Sequence, residues 1–203
     1  MGLLRKLFGP SREEIWRQLA TEIGASYIDG GVWKGDKVEA KHGEWTITLD
    51  SYSVHTGKVT MVFTRLRAPY VNVDGFRFSV SRRGFLTGVA TWLGAQDIEV
   101  GYPDFDRDFV IKGSSEEHLR RLFASDRLRR LLEAQPSVHF AVQDDEGVFG
   151  PKFPENVDQL LFVVGGVITD TARLKGIFDL FAATLERLTE MGSAYERYPG
   201  MKN

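Results

Sequence analysis

Arg67 and Arg82 are the residues with the clearest capacity for chemistry in this sequence, and that chemistry is the binding of a small anion. Each lies at the far end of an apolar, alternating stretch, and the two stretches are predicted to pair as a β-hairpin that places the arginines opposite each other. Guanidinium groups keep their charge in proteins, so two that face each other need an acid or a bound anion between them. Asp50 and Asp97 lie near the ends of predicted strands and are the candidate acids. The predicted anion-binding site is therefore Arg67, Arg82, Asp50 and Asp97, and no catalytic residue is identified.

The hairpin prediction depends on Asp74 and Gly75, because a two-residue hairpin turn of this composition favours positive φ at both positions. In this register alternate side chains share one face of the sheet. The residues expected on the buried face are Val71, Val73, Phe76 and Phe78, and those expected on the opposite face include Tyr70, Asn72 and Arg77. In the alternative interpretation Pro69, which has no N–H for the ladder, interrupts the pairing and the arginines point into water.

Other kinds of chemical site find little support in the sequence. The chain has no cysteine, which excludes disulfides, thiol catalysis and cysteine-bound metals, and its four histidines are scattered without metal-ligand spacing. The run Asp104, Asp106 and Asp108 imitates the start of a calcium loop, but Phe109 and Ser115 stand where that loop needs Gly and Glu. The sequence contains no phosphate-binding or dinucleotide-binding glycine pattern and no nucleophile elbow. We therefore expect neither a metal nor a cofactor.

Composition limits the partners of the chain. The 203 residues carry a formal net charge of −2, and the arginines between residues 120 and 130 are matched by nearby acids, so nucleic acid is not an expected partner. The longest strongly apolar run, residues 160–168, is too short to span a membrane. The segment from Leu3 to Phe8 mixes leucines with Arg5 and Lys6 and could make weak peripheral contact with a membrane. The lack of cysteine suits a reducing compartment, and we expect a cytoplasmic protein.

Helical and strand periods alternate along the chain. Ser11 and Glu14 form a capping box before a helix that Gly24 ends. Strands are predicted at 26–29, 37–41, 45–50, 59–66, 98–100, 109–112, 138–142 and 157–164. Further helices are predicted at 85–93, from Ser114, around 128–132, and from Thr171 to Met191 with Thr169 or Asp170 as cap.

These elements predict one α+β domain over residues 1–203. A mainly antiparallel sheet packs one face against the N-terminal helix and the long C-terminal helix. Residues 1–10 are expected to be a flexible basic and apolar N-terminus, and residues 192–203 a loose tail.

The order of several motifs resembles that of a family of uncharacterised bacterial proteins of unknown function. The resemblance spans roughly residues 45–188 and implies a bacterial intracellular protein, with no activity and no site residue to carry over. The motifs that carry it are residues 45–50, 67–72, 96–99, 105–106 and 109–113.

Three functions stay open at this point. The leading one is a non-enzymatic intracellular binding or protein-interaction module, because no catalytic motif is assembled in the sequence. The alternative is a small-anion-binding protein or an enzyme that uses Arg67, Arg82 and nearby acids such as Asp50. The third is a peripheral membrane protein that uses residues 3–8. Whether the chain is an enzyme is left undecided.

Overall fold

The computed structural model describes residues 10–31, 35–84, 96–144 and 153–196. Within these residues the chain folds as an α+β protein of five helices and nine strands, as predicted. The helices are α1 (Arg12–Ile23), α2 (Pro103–Asp108), α3 (Glu116–Phe123), α4 (Asp126–Glu133) and α5 (Thr171–Met191). The strands are β1 (Ser26–Ile28), β2 (Lys37–His42), β3 (Trp45–Thr56), β4 (Val59–Asn72), β5 (Phe78–Arg82), β6 (Phe109–Gly113), β7 (His139–Gln143), β8 (Val157–Gly165) and β9 (Ala194–Tyr195).

The nine described strands form one sheet in the order β1-β2-β3-β4-β8-β7-β5-β6, with β9 added to β4. Every pairing between these strands is antiparallel. The central strand β8 is buried along nearly its whole length, as its continuous apolar sequence predicts for a strand with neighbours on both sides. Alternate residues of β4, among them Leu66, Ala68 and Tyr70, belong to the same hydrophobic cluster as the helices. We call this side of the sheet the helix face and the other side the outer face.

The two terminal helices follow their sequence signals. The capping box of Ser11 and Glu14 starts α1, and Gly24 ends it with φ of 65°. Asp170 caps α5, whose stripe of apolar residues faces the core. Phe178 and Phe181 are both buried, as predicted.

The predicted β4–β5 hairpin is wrong. Two strands, β8 and β7, lie between β4 and β5, so Arg67 is opposite Leu161 of β8 and Arg82 is opposite Phe109 of β6. Gly75 does have positive φ, but the chain bends at this point and crosses the end of the sheet without closing a tight turn. The physical reason is that β7 and β8 are the more apolar strands, and placing them in the middle of the sheet buries more surface than pairing β4 with β5.

The predicted face of β4 is also wrong by one residue. Asn72 and Tyr70 are buried on the helix face, whereas Val71 is half-buried and Val73 is exposed. The Asn72 side chain is accommodated because its amide donates to Phe76 O and to Asp158 Oδ2. Phe76 and Phe78 are buried, and Arg77 is partly exposed, as predicted.

Smaller differences concern the connecting segments. Residues 98–100 form no strand, Ser115 caps α3 in place of Ser114, and the aspartate run folds as the short helix α2. The tail is not loose at its start, because β9 pairs with β4 and both Ser193 and Ala194 are buried. The predicted helix at 85–93 and the segment 1–9 lie outside the described residues.

Candidate functional site

Asp50 is the point at which two arginines meet. Asp50 lies directly opposite Arg65 in the β3–β4 pair, and Arg65 donates from Nε to Oδ1 at 2.9 Å and from Nη2 to Oδ2 at 2.8 Å. Arg67, two residues further along β4, donates from Nη2 to Asp50 Oδ2 at 2.7 Å. All three side chains are less than a quarter exposed and lie on the outer face. The geometry is that of an internal charge cluster in which one carboxylate accepts three charge-assisted hydrogen bonds.

The structure divides the predicted anion site into two places. Arg67 and Asp50 come together, but Arg82 lies three strands away from β4, roughly 14 Å across the sheet. Arg82 donates to the carbonyl oxygens of Gln135 at 3.0 Å and Glu133 at 2.8 Å, and its guanidinium lies 4.9 Å from the centre of the Phe109 ring. These contacts tie the end of β5 to the turn after α4.

Asp97 also makes contacts that stabilise the fold. Its Oδ1 accepts a hydrogen bond from the Ile111 backbone N–H at 2.8 Å, and its Oδ2 pairs with Arg83. Asp97 therefore anchors the segment before α2 to β6 and contacts neither Arg67 nor Asp50. Arg67 does not lie opposite Arg82 with an acid between them. The structure instead places the acid Asp50 between Arg65 and Arg67.

The aspartates before β6 hold a turn together. Asp106 accepts hydrogen bonds from the backbone N–H groups of Val100, Gly101 and Tyr102 at 2.9, 3.0 and 2.9 Å. Its carboxylate oxygens are thus occupied by the protein's own backbone. No group of three or more His, Asp or Glu side chains in the described part of the chain is placed to hold a metal ion.

The most unusual surface of the molecule is the far end of the β3–β4 hairpin. The two strands pair from Thr48 with Arg67 out to Thr56 with Val59, but β2 reaches only as far as Leu49, and β8 only as far as Thr64. Residues 53–62, which we call the β-arm, are all exposed although every strand residue among them is paired. The β-arm therefore projects beyond the sheet as a ribbon of two strands.

The β-arm is apolar on one side. Val54, Val59 and Met61 are exposed and lie on its outer face, in line with the Asp50 cluster, whereas Val62 is exposed on the opposite face. At the base of this apolar side Tyr52 stacks on Phe63, with ring centres 5.2 Å apart. The Arg65 guanidinium lies 5.1 Å from the centre of the Tyr52 ring, and burial raises the pKa of Tyr52.

A polar network holds the other end of β4. Asp158 on β8 accepts from Asn72 at 2.6 Å and from Arg77 at 3.0 and 3.2 Å, and Arg77 also donates to Asp144 at 2.7 Å. The hydrogen bonds with Asp158 raise the pKa of Arg77. Among the described residues the Tyr70 hydroxyl has no hydrogen-bond partner, and burial, reinforced by Asp158, raises the pKa of Tyr70 well above its usual value. This network fixes the crossing from β4 to β5 and is closed to solvent at Asn72 and Asp158.

Sequence reasoning missed the β-arm because it ended β3 at Asp50. One signal in the sequence could have indicated the longer strands. Residues 50–63 continue the β-branched and aromatic composition of a strand on both sides of Gly57. Gly57 has φ of 60° and makes the turn. The sequences of β3 and β4 do not show that their neighbours β2 and β8 stop short of this end.

No protein-family model and no curated protein matches the sequence. Among solved structures, the fold is similar to the crystal structure of the mycobacterial trehalose monomycolate transport factor A, TtfA, with a TM-score of 0.46 and 10% identity over 89% of this chain and 93% of that chain. Among the described helices, none combines the length and apolar character needed to cross a membrane.

Proposed function

We propose that this chain is a non-enzymatic protein-interaction module of the bacterial cytoplasm and that the β-arm is its binding element. The observation that carries the proposal is the exposure of all ten residues from 53 to 62, with Val54, Val59 and Met61 on one side. An isolated two-stranded ribbon is at best marginally stable in water, and an apolar side in solvent gains free energy when another protein covers it. The family resemblance of the sequence, which implies a bacterial intracellular protein without assigned activity, agrees with this function.

The edges of the β-arm support the same proposal. Proteins that leave strand edges in water guard them with charged residues, proline or bulges. The β-arm has no proline, and its one formal charge, Lys58, lies in the turn and not along either edge. Edges without such guards suit a segment that a partner covers.

The Asp50 cluster supports a structural role for the arginines over a catalytic one. A carboxylate that accepts three hydrogen bonds from two arginines has little capacity left to act as a base. Its place at the base of the β-arm suits a second role, which is to hold β3 and β4 together where the ribbon leaves the sheet.

Site-specific photo-crosslinking in the native cell tests the proposal. A photo-crosslinking amino acid at Met61 should give covalent adducts with one or a few proteins. The matched control is Val73, which is 43% exposed against 45% for Met61 but lies just beyond the opposite end of β4. Equal adduct patterns at the two positions, or adducts at neither, would contradict the proposal.

The alternative is a small-anion-binding protein that uses Arg67. The observation in its favour is the convergence of Arg65 and Arg67 on the single carboxylate of Asp50 at the outer face of the sheet. Its test is the response to phosphate described in the Discussion.

A further inference from the structure

One edge of the β-arm has no neighbouring strand among the described residues. β2 pairs with β3 only as far as Leu49, and a Cβ added at Gly35, just before β2, would lie 3.8 Å from the carbonyl oxygen of Ser51. Over residues 52–56, which we call the β3 edge, no described strand pairs with β3 on the side away from β4. Residues 53–56 are all exposed. The β3 edge is therefore open to a further strand.

The backbone of the β3 edge is turned toward such a strand. A two-residue turn joins β3 to β4, and the pair that closes it, Thr56 with Val59, is a hydrogen-bonded pair. The direction of the backbone groups alternates along a strand, so the N–H and C=O groups of Ser53 and His55 point away from β4. Val62 agrees with this phase, since it lies opposite Ser53 and its carbonyl oxygen accepts a hydrogen bond at 2.7 Å from outside the hairpin.

The β3 edge is complementary to itself. It contains Tyr52, Ser53, Val54, His55 and Thr56, with no formal charge at pH 7, no proline and no glycine. If the stretch pairs antiparallel over its whole length with the same stretch of a second copy, its middle residue Val54 lies opposite its counterpart. Tyr52 then lies opposite Thr56, and Ser53 lies opposite His55. These are favourable cross-strand pairs, and no like charges are opposed.

The same register satisfies the backbone groups. Ser53 of each copy and His55 of the other form hydrogen-bonded pairs, with about four hydrogen bonds in all. The two Val54 side chains form a non-hydrogen-bonded pair, in which side chains approach most closely. The other edge of the β-arm offers less, because Gly166 already donates to the carbonyl oxygen of Val62. The contact is therefore a closed two-fold pair and does not extend into a filament.

We infer that two copies of this chain pair through their β3 edges, with Val54 at the two-fold axis, to form one continuous ribbon in the order β4-β3-β3-β4. Because the ladder is short, we expect a weak dimer whose population rises with protein concentration. The axis is perpendicular to the ribbon, so Val54, Val59 and Met61 of both copies lie on one side and form a single apolar strip. The inference goes beyond the proposed function, since the edge binds a second copy and the apolar strip stays open to another protein.

Single-cysteine crosslinking tests the inference. The chain has no cysteine, so Val54→Cys can form a disulfide only with a second copy. The Cβ separation in the proposed pair, about 4.5 Å, is close to that of a disulfide. The matched control is Val59→Cys, on the same apolar side but on the strand away from the β3 edge, where Val59 is 58% exposed against 38% for Val54. Under a mild oxidant Val54→Cys should give at least about tenfold more covalent dimer than Val59→Cys, although Val59 is the more accessible.

Charge exchange at Val54 gives a second readout without a disulfide. Val54→Lys and Val54→Asp should each sediment as a monomer, because each opposes like charges across the axis, and an equal mixture of the two should form a dimer. The same two substitutions at Val59 should leave the wild-type dimer unchanged. The triple variant Val54→Thr, Val59→Thr, Met61→Thr should also keep the dimer, because threonine favours strands and pairs well with itself. Sedimentation equilibrium over a range of protein concentrations measures all of these.

The outcomes separate this inference from the proposed function. Equal crosslinking at Val54 and Val59, or a mixture of the two charge variants that stays monomeric, overturns the inference. Adducts of Met61 with a different protein would leave the proposed function standing in that case. A dimer that forms as described, with no adduct of Met61 to another protein, supports the inference and contradicts the proposed function.

Discussion

Asp50 and Arg65 are directly opposite each other in the β3–β4 pair and share two hydrogen bonds of 2.9 and 2.8 Å. This bidentate pair, completed by Arg67 at 2.7 Å, lies where the hairpin leaves the sheet. The three residues thus join two features that the sequence does not connect, the candidate anion site and the β-arm.

The first prediction concerns anions. Because Asp50 already occupies both arginines, phosphate or sulfate should raise the melting temperature of the wild type no more than that of Arg67→Ala. Differential scanning fluorimetry over a range of phosphate concentrations at constant ionic strength measures this. A larger stabilisation of the wild type than of the variant would favour the anion-binding alternative.

The second prediction compares the two carboxylates that contact Arg77. The Asp158 side chain is 5% exposed and that of Asp144 is 57% exposed. Asp158→Ala leaves Asn72 and Arg77 without their buried acceptor and should lower the free energy of unfolding by about 3 kcal/mol or more. Asp144→Ala removes a surface ion pair and should cost under about 1 kcal/mol. Urea unfolding of both variants checks this, and equal effects would show that the network does not depend on burial.

The third prediction concerns the core side of α5. Phe181 is fully buried and packs edge-on against Phe140, with ring centres 5.5 Å apart. Phe181→Ala should lower the free energy of unfolding by about 3–5 kcal/mol, the usual range for a buried phenylalanine. Asp179→Ala, at an exposed position of the same helix, should change it by less than about 0.5 kcal/mol. A loss under about 1 kcal/mol for Phe181→Ala would mean that this stripe is not part of the core.

Features with local causes were predictable from the sequence. The Ser11 and Glu14 capping box, the Asp170 cap and the 3.6-residue period of α5 depend on residues within one or two turns of each other. The buried run of β8 was predictable for the same reason. These signals were enough to predict the fold class.

Features set by distant residues were not predictable. Asp74 and Gly75 favour a tight turn, but the strands on either side of them pair with β8, β7 and β6, whose competition a local pattern does not contain. The same competition between strands for pairing determined which residues meet at the site. The structure brings Asp50 to Arg67, but the second arginine that contacts Asp50 is its cross-strand neighbour Arg65 and not Arg82.

The fourth prediction separates binding from stability in the β-arm. Val54, Val59 and Met61 are exposed, and threonine keeps a high preference for strands. Each substitution by threonine should therefore change the free energy of unfolding by less than about 0.5 kcal/mol. The variant that carries all three substitutions should nevertheless lose its binding to the protein partner proposed for the β-arm. Urea unfolding of the purified variants measures this. A large loss of stability would show that these side chains support the fold of the isolated chain.

The fifth prediction concerns His139. The side chain is 3% exposed, and its Nδ1 lies 2.9 Å from Ser81 Oγ, while its Nε2 has no hydrogen-bond partner in the part of the chain that the structure describes. Burial lowers the pKa of His139 from 6.5 to about 4, because the charged imidazolium would lose its hydration without gaining an acid. Between these two pH values the unfolded chain binds a proton at this residue and the folded chain does not. Stability should therefore fall as the pH decreases from about 6.5 to about 4, by up to about 1.4 kcal/mol per pH unit from this residue.

The variant His139→Gln isolates this contribution. Glutamine is close in size and can still contact Ser81, but it does not titrate. The slope of the unfolding free energy against pH between about 4 and 6.5 should therefore be smaller than in the wild type by up to about 1.4 kcal/mol per unit, with no change in slope above that range. Urea unfolding at half-unit pH steps gives both slopes, and a wild-type slope in His139→Gln would mean that His139 accepts a proton in the folded protein as readily as in the unfolded chain.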